Sequence, residues 1–238
     1  MADSYPLTCV TGFWRVKNKH DDKYLKWFEN TLKINCPYVV FSNKEGIEII
    51  KKFRHDYPTQ YIELEVEDFY MNQFKDRMKT DPVHCPSVEL NLIWNEKIIL
   101  LEKAYQWNPY KSDWFCWIDA GICCYRDAKP PLASFPNLVT LAKMPTNRII
   151  YSASATKDPA RIHRTSYWHH FAGTAYMIHK SILSTIYKLY KVYADKLIDT
   201  NNFWTDQVIW SHIEKDNPEL FHKVCDGYGD IIPYLYGS

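Results

Sequence analysis

Continuous apolar runs and helix-period runs alternate along the first half of the chain. Leu7–Phe13 (LTCVTGF) reads as a buried strand ending at Thr11-Gly12. Asp21–Leu32 carries apolar residues at 25, 28 and 32, a helix-like face. Tyr38–Phe41 (YVVF) is a second strand, and it runs into Ser42-Asn43-Lys44-Glu45, a capping-box pattern that opens a helix bearing Ile47, Ile50 and Phe53. Gln60–Val66 alternates like a third strand, whereas residues 67–87 are polar and irregular, a long loop or a short helix. Val88–Trp107 reads as a long helix stopped before Pro109, followed by a strand at Trp114–Ile118. The second half is looser: a loop at Pro130–Pro136, strands at Ile149–Ser154 and Gly173–Ile178, helices at Ser181–Tyr193 and Thr205–Ile213, and a polar C-terminal tail. Strands alternating with helices predict an α/β fold. With neither repeat nor linker, the expectation is a single domain with a Rossmann-like mixed, mainly parallel sheet flanked by helices.

The run Phe115-Cys116-Trp117-Ile118-Asp119-Ala120-Gly121 changes the picture from fold to chemistry. A carboxylate at the carboxyl end of a buried strand points into the crevice where open α/β sheets hold ligands. The glycine lets backbone and ligand approach closely. A second clue is Lys97. At about 100° per residue, Leu90, Ile93, Trp94, Leu101 and Ala104 fall on its side of the helix, and Asn91, Asn95, Glu96, Glu102, Lys103 and Gln106 gather opposite. A lysine on a buried face needs an anion. It either meets Asp119 beneath a ligand, snorkels to the surface or pairs with another acid. Asp206, in Trp204-Thr205-Asp206-Gln207, is a site acid or simply a first-turn partner of the helix dipole. Trp168-His169-His170-Phe171-Ala172-Gly173 precedes a strand, and its histidines either line a site or lie on the surface.

Composition narrows the classes. Lys and Arg are dispersed at a net charge of +1, so nucleic acid is not an expected partner. The 18 Tyr, 11 Phe and 9 Trp suit base or sugar stacking as well as plain core. Seven cysteines without C-x-x-C or zinc spacing suit a reducing compartment. Residues 1–20 have no apolar h-region and no stretch reaches membrane-spanning length, so a cytoplasmic location is expected. No Walker loop, G-x-G-x-x-G, G-x-S-x-G or H-E-x-x-H occurs.

Taken in order, Val10-Thr11-Gly12-Phe13-Trp14, Asn91 to Lys97, Asn108-Pro109, Trp117-Ile118-Asp119-Ala120-Gly121, Trp204-Thr205-Asp206-Gln207 and Tyr228-Gly229-Asp230 resemble the HtrL/YibB-type family of the GT-A superfold. The resemblance implies a GT-A-like glycosyltransferase, a hexosyltransferase, with a nucleotide-sugar half over about residues 1–125 and an acceptor half over about 126–238. It implies a UDP-sugar donor bound by Thr11, Gly12, Phe13, Lys97, Asp119, Ala120 and Gly121. The acceptor, a hydroxyl on a glycan, lipid-linked molecule or protein, would lie near Trp168, His169, His170 and Gly173. Asp206 would be the catalytic base. A divalent metal, Mn²⁺ or Mg²⁺, would sit on Asp119, with His222 as a further ligand. The sequence departs from the superfold's D-x-D pattern, because Gly121 stands where the last acid belongs. Either Asp119 holds the metal without that acid or Lys97 supplies part of its charge. The same departure leaves open a catalytically inactive nucleotide- or carbohydrate-binding protein of this fold.

Overall fold

A strand buried along its whole length must lie inside a sheet covered on both faces, and β1 (Leu7–Phe13) does. The computed structural model describes residues 4–18, 20, 23–154, 170–200 and 205–237. From β1 the chain passes through α1 (Lys23–Thr31) to β2 (Tyr38–Ser42), then through α2 (Lys44–Lys51) to β3 (Thr59–Glu63). Two 3₁₀ segments, Val66–Asp68 and Tyr70–Arg77, precede the long α3 (Val88–Trp107), which leads to β4 (Trp114–Ile118). Then come α4 (Leu138–Leu141), β5 (Ile149–Ala153), β6 (Phe171–His179), α5 (Lys180–Leu197), α6 (Asp206–Asp216), β7 (Phe221–Asp226) and α7 (Ile231–Tyr236).

The seven strands form one sheet in the order β3-β2-β1-β4-β6-β5-β7. Only β6 runs against the rest, antiparallel to both β4 and β5. This is the expected α/β fold with a mixed, mainly parallel sheet. Strand alternation divides the core between its faces. Val10, Val39, Phe115 and Trp117 pack under α3, α5 and α6, with Leu100, Ile186 and Trp210 among the facing residues. Leu7, Cys9, Val40 and Cys116 pack on the other face with Phe28, Ile50 and Ile232.

Three local expectations need correction. The cap of α2 is Asn43, whose side chain accepts from the Gly46 N–H, and Ser42 instead ends β2 with its hydroxyl on the Phe13 carbonyl. The polar side of α3 faces water only at its C-terminal end, around Lys103 and Gln106; nearer its start Asn91 donates to the Lys79 carbonyl at 2.7 Å, and Glu96 accepts from the Tyr70 and Met71 N–H groups at 3.0 and 2.9 Å. The segment after β3 and helix α5 cover that face, with Tyr190 of α5 donating to Asn95 at 3.3 Å. The polar C-terminal tail is ordered too, contributing edge strand β7 and helix α7.

Candidate functional site at the sheet switch point

The chain leaves β1 toward β2 and β3 on one side, then crosses back to β4 on the other. The reversal opens a crevice beyond the carboxyl ends of β1 and β4, where ligands of open α/β sheets bind. A cleft of about 510 Å³ lies there, walled by Gly12 to Asn18, by Tyr24 and Leu25 of α1, by Leu90, Ile93, Trp94 and Lys97 of α3, and by Trp117, Asp119 and Ala120. Gly12 is required by packing, because a Cβ there would stand 2.5 Å from the Trp14 ring.

Asp119 sits on the floor. Trp117, two residues earlier and so on the same side of the strand, donates its indole N–H to Asp119 Oδ1 at 2.7 Å. Lys97 Nζ approaches the same oxygen at 3.0 Å. The Asp119 N–H donates to the Thr174 carbonyl of β6 at 2.8 Å. The carboxylate is therefore fixed from three elements, and its side chain keeps 16% exposure toward the cleft.

Lys97 does not present its charge to the cleft. Its side chain is 4% exposed, and Nζ also donates to the Gly173 carbonyl at 2.9 Å and pairs with Asp206 Oδ2 at 3.2 Å. Burial pulls its pKa down, but Asp119 and Asp206 outweigh this and leave it raised. The ammonium thus orients both carboxylates.

Asp206 opens α6 and is 2% exposed. Burial pushes its carboxyl up to about 6, with Lys97 opposing and Asp119 adding to the rise. Gly173 lies against it: a Cβ at 173 would stand 2.7 Å from Asp206 Oδ2. The Gly173 N–H donates to Gln207 Oε1 at 3.0 Å. A general base must reach the proton it removes. Asp206 is buried beneath Lys97 and is not among the residues that wall the cleft.

Thr11 is wholly buried and does not wall the cleft, and its Oγ1 has no hydrogen-bond partner among the described residues. Gly121 is also outside the wall, because the Tyr24 ring occupies the space beside it, 2.9 Å from where a Cβ would stand. Burial holds the Tyr24 phenol well above its usual pKa range, and the Asp119 charge adds to the effect.

His170 precedes β6, and its Nδ1 meets Glu214 Oε2 of α6 at 3.0 Å. Glu214 also accepts from the Tyr151 hydroxyl. Trp168 and His169 lie outside the described residues. His222 is at the wrong end of the sheet for Asp119. It is level with Ile150, Met177 and Cys116 across four strands. Three strand spacings and three residues of rise put its Cα roughly 17 Å from that of Asp119. The two cannot share one ion. Among the described residues no group of three or more His, Cys, Asp or Glu side chains could hold a metal.

A family model described as "Bacterial protein of unknown function (HtrL_YibB)" matches residues 59–233. The chain belongs to this HtrL_YibB family. The match covers Lys97, Asp119, Gly173 and Asp206 and stops short of the β1 side of the cleft. No curated protein sequence matches the chain. Among solved structures it is similar to 4-diphosphocytidyl-2C-methyl-D-erythritolsynthase from Anaerococcus prevotii DSM 20548, at 13% identity and a TM-score of 0.47, over 100% of this chain and 98% of that one. It is also similar to the PaToxG glycosyltransferase, at 13% identity and a TM-score of 0.40, over 89% of this chain and 68% of that one. None of the helices among the described residues is long and apolar enough to cross a membrane.

Sequence reasoning missed Tyr24, Trp117 as a donor, and Glu214. The Trp-x-Asp spacing on a strand was the available signal for Trp117. Tyr24 and Glu214 are brought in by tertiary packing and carry no local signature.

Proposed function

We propose that this HtrL_YibB protein binds a nucleoside diphosphate sugar, a UDP-sugar, in the switch-point cleft and transfers the sugar to a hydroxyl of a glycan, lipid-linked or protein acceptor. The observation that carries the reading is Asp119, a carboxylate locked by Trp117 and Lys97 yet open to a cleft of about 510 Å³. In such a transfer the anomeric C–O bond breaks with its electron pair going to the diphosphate, while the sugar becomes oxocarbenium-like. The acceptor oxygen bonds to the anomeric carbon, and its proton passes to a base.

The oxygen donors of Asp119 suit Mn²⁺ or Mg²⁺, hard ions held by one or two carboxylates with phosphate oxygens and water completing the shell. Such an ion would neutralise the charge that gathers on the leaving diphosphate. Lys97 and Trp117 fix the carboxylate for that contact, and the aromatic walls from Phe13, Trp14 and Trp94 offer stacking surfaces to a base or sugar. On the acceptor side, Glu214 holds the His170 ring through Nδ1, just before the strand where an acceptor would lie.

One observation favours a second reading, a nucleotide- or carbohydrate-binding protein that performs no transfer. Among the described residues Asp119 is the sole carboxylate on the cleft wall, and Asp206 is sequestered under Lys97. A panel of UDP-sugars, with and without Mn²⁺, separates the two. UDP release that disappears in Asp119→Ala supports transfer. Thermal stabilisation by UDP without release supports binding alone. If no nucleotide stabilises the fold, the donor site is wrongly assigned.

A further inference from the structure

Position 121 lacks a side chain, but the space beside it is filled. Three Tyr24 ring atoms, Cε2, Cζ and Cδ2, lie 2.9, 3.1 and 3.2 Å from where a Cβ on Gly121 would stand. The closest are at the hydroxyl end of the ring. Tyr24 and Asp119 both line the cleft, from α1 and from the end of β4. The ring is held from behind: it stacks on His20 at 6.3 Å between centroids and meets the edge of Trp27 at 6.2 Å. Arg126 fixes the far side of the same turn, donating to the Gly121 carbonyl at 3.2 Å with its guanidinium 4.2 Å over the Trp27 ring. A glycine at 121 is thus the condition for a tyrosine to stand beside Asp119.

We propose that Tyr24 contacts the donor's diphosphate, its phenolic O–H donating to a phosphate oxygen next to Asp119. This inference rests on the UDP-sugar reading of the cleft. Charge explains why a phenol fits here better than a second acid. The floor already holds two carboxylates against one ammonium. A further carboxylate would repel the diphosphate, whereas a neutral O–H offers a charge-assisted hydrogen bond without adding charge. The arrangement gives Gly121 a role: it is the vacancy into which the donor group packs.

Titration calorimetry of the full chain in Mn²⁺, with UDP and with inorganic pyrophosphate as separate probes, tests this. Tyr24→Phe keeps the ring and its packing and removes only the hydroxyl. It should weaken both probes by about tenfold, the size of one hydrogen bond to a charged group. Gly121→Ala, which pushes the ring aside, should weaken both as well. The double variant should bind no more weakly than the weaker single variant, since both act on one contact. If the wild-type chain binds UDP and Tyr24→Phe binds it equally well, the inference is overturned and the cleft reading survives. If Tyr24→Phe weakens UDP but not pyrophosphate, Tyr24 touches the nucleoside and the diphosphate contact is refuted. Failure of the wild-type chain to bind either probe overturns the cleft reading and this inference with it.

Discussion

Replacing Lys97 with methionine tests whether the buried ammonium holds the site together. Met matches the stem in length and removes the charge. The loss strands Asp119 Oδ1, which met Nζ at 3.0 Å, Asp206 Oδ2 at 3.2 Å and the Gly173 carbonyl at 2.9 Å. Asp119 keeps its Trp117 hydrogen bond and some water, but Asp206 is only 3% exposed and keeps little. Removing one partner of a buried pair costs about 3–5 kcal/mol, and that is the expected loss at pH 8. The pH dependence has a definite sign. In the wild-type chain the Asp206 carboxyl is raised from 3.8 to about 6, so the native state holds its proton more tightly than the unfolded chain does. Its contribution is fully present below about pH 4 and falls by on the order of 3 kcal/mol as pH rises to about 6. Without Lys97, which opposes the rise, the carboxyl moves higher still. At pH 5 the variant can therefore keep Asp206 neutral, and its deficit should shrink to roughly 1–2 kcal/mol, the cost of an unpaired neutral group. Urea unfolding of both chains at pH 5 and pH 8, with unchanged m-values, measures this directly. A deficit below about 1 kcal/mol at pH 8, or one that is the same at both pH values, would refute the network. Adding Asp206→Asn to Lys97→Met should return part of the loss, because the stranded charge goes with it.

Substitutions at three other positions probe the scaffold. Arg54, 2% exposed, donates to the carbonyls of Leu32, Ile34 and Cys36 at 2.6, 3.0 and 2.7 Å. Arg54→Met should cost about 3 kcal/mol or more in urea unfolding, and Arg54→Lys should not restore it, since an ammonium lacks the planar fork; wild-type stability in the Lys variant would refute this. Burial pushes the Glu96 carboxyl up to about 7 against the Met71 and Tyr70 N–H groups. Glu96→Gln keeps one acceptor for those two donors, so it should lose about 1–3 kcal/mol and speed hydrogen exchange at Tyr70 or Met71. Because a raised acid loses stabilising effect as pH climbs from about 4.5 to about 7, the gap to wild type should narrow between pH 5 and pH 8. Gly173→Ala places a Cβ 2.7 Å from Asp206 Oδ2 and 2.8 Å from Gln207 Cγ. Overpacking of this kind costs about 1–3 kcal/mol, and an alanine variant with an unchanged melting temperature would show that the α6 contact is soft.

The elements that sequence reading placed most accurately are those whose patterns depend on one neighbour type. β1, α3 and β4 fall at Leu7–Phe13, Val88–Trp107 and Trp114–Ile118, as their apolar runs and the stop before Pro109 dictate. The burial of Lys97 and its meeting with Asp119 were legible because one side chain lay on an apolar face and the other ended the next strand. β7 was hidden because the apolar residues of Phe221–Asp226, at 221, 224 and 225, do not alternate; this edge strand is held by pairing to β5 rather than by its own pattern. The opposite face of α3 misled for a related reason. Asn91, Asn95 and Glu96 look solvated, yet they are buried because 3₁₀ backbone and α5 supply their partners. Such partners come from distant segments, and no periodicity encodes them. His222 was placed by analogy with a C-terminal histidine, and only strand register shows that it lies at the far end of the sheet.

The way the charges are arranged separates two roles that the sequence left merged. Above about pH 6 the floor holds one ammonium and two carboxylates, and the ammonium is wholly engaged. It has no positive charge left to neutralise a leaving diphosphate. On the proposed transfer, neutralisation would come from outside the Lys97 network, either from an ion on Asp119 or from the Arg15 and Lys17 side of the cleft. Arg15 is partly tied up already, with its guanidinium on Glu45 at 2.9 Å. Lys97 and a divalent ion are therefore not interchangeable: one orients Asp119 from below, and the other would meet it from the cleft. On this geometry Lys97→Met should disturb UDP binding even when Mn²⁺ is saturating, because the ion inherits a carboxylate that is no longer held in place.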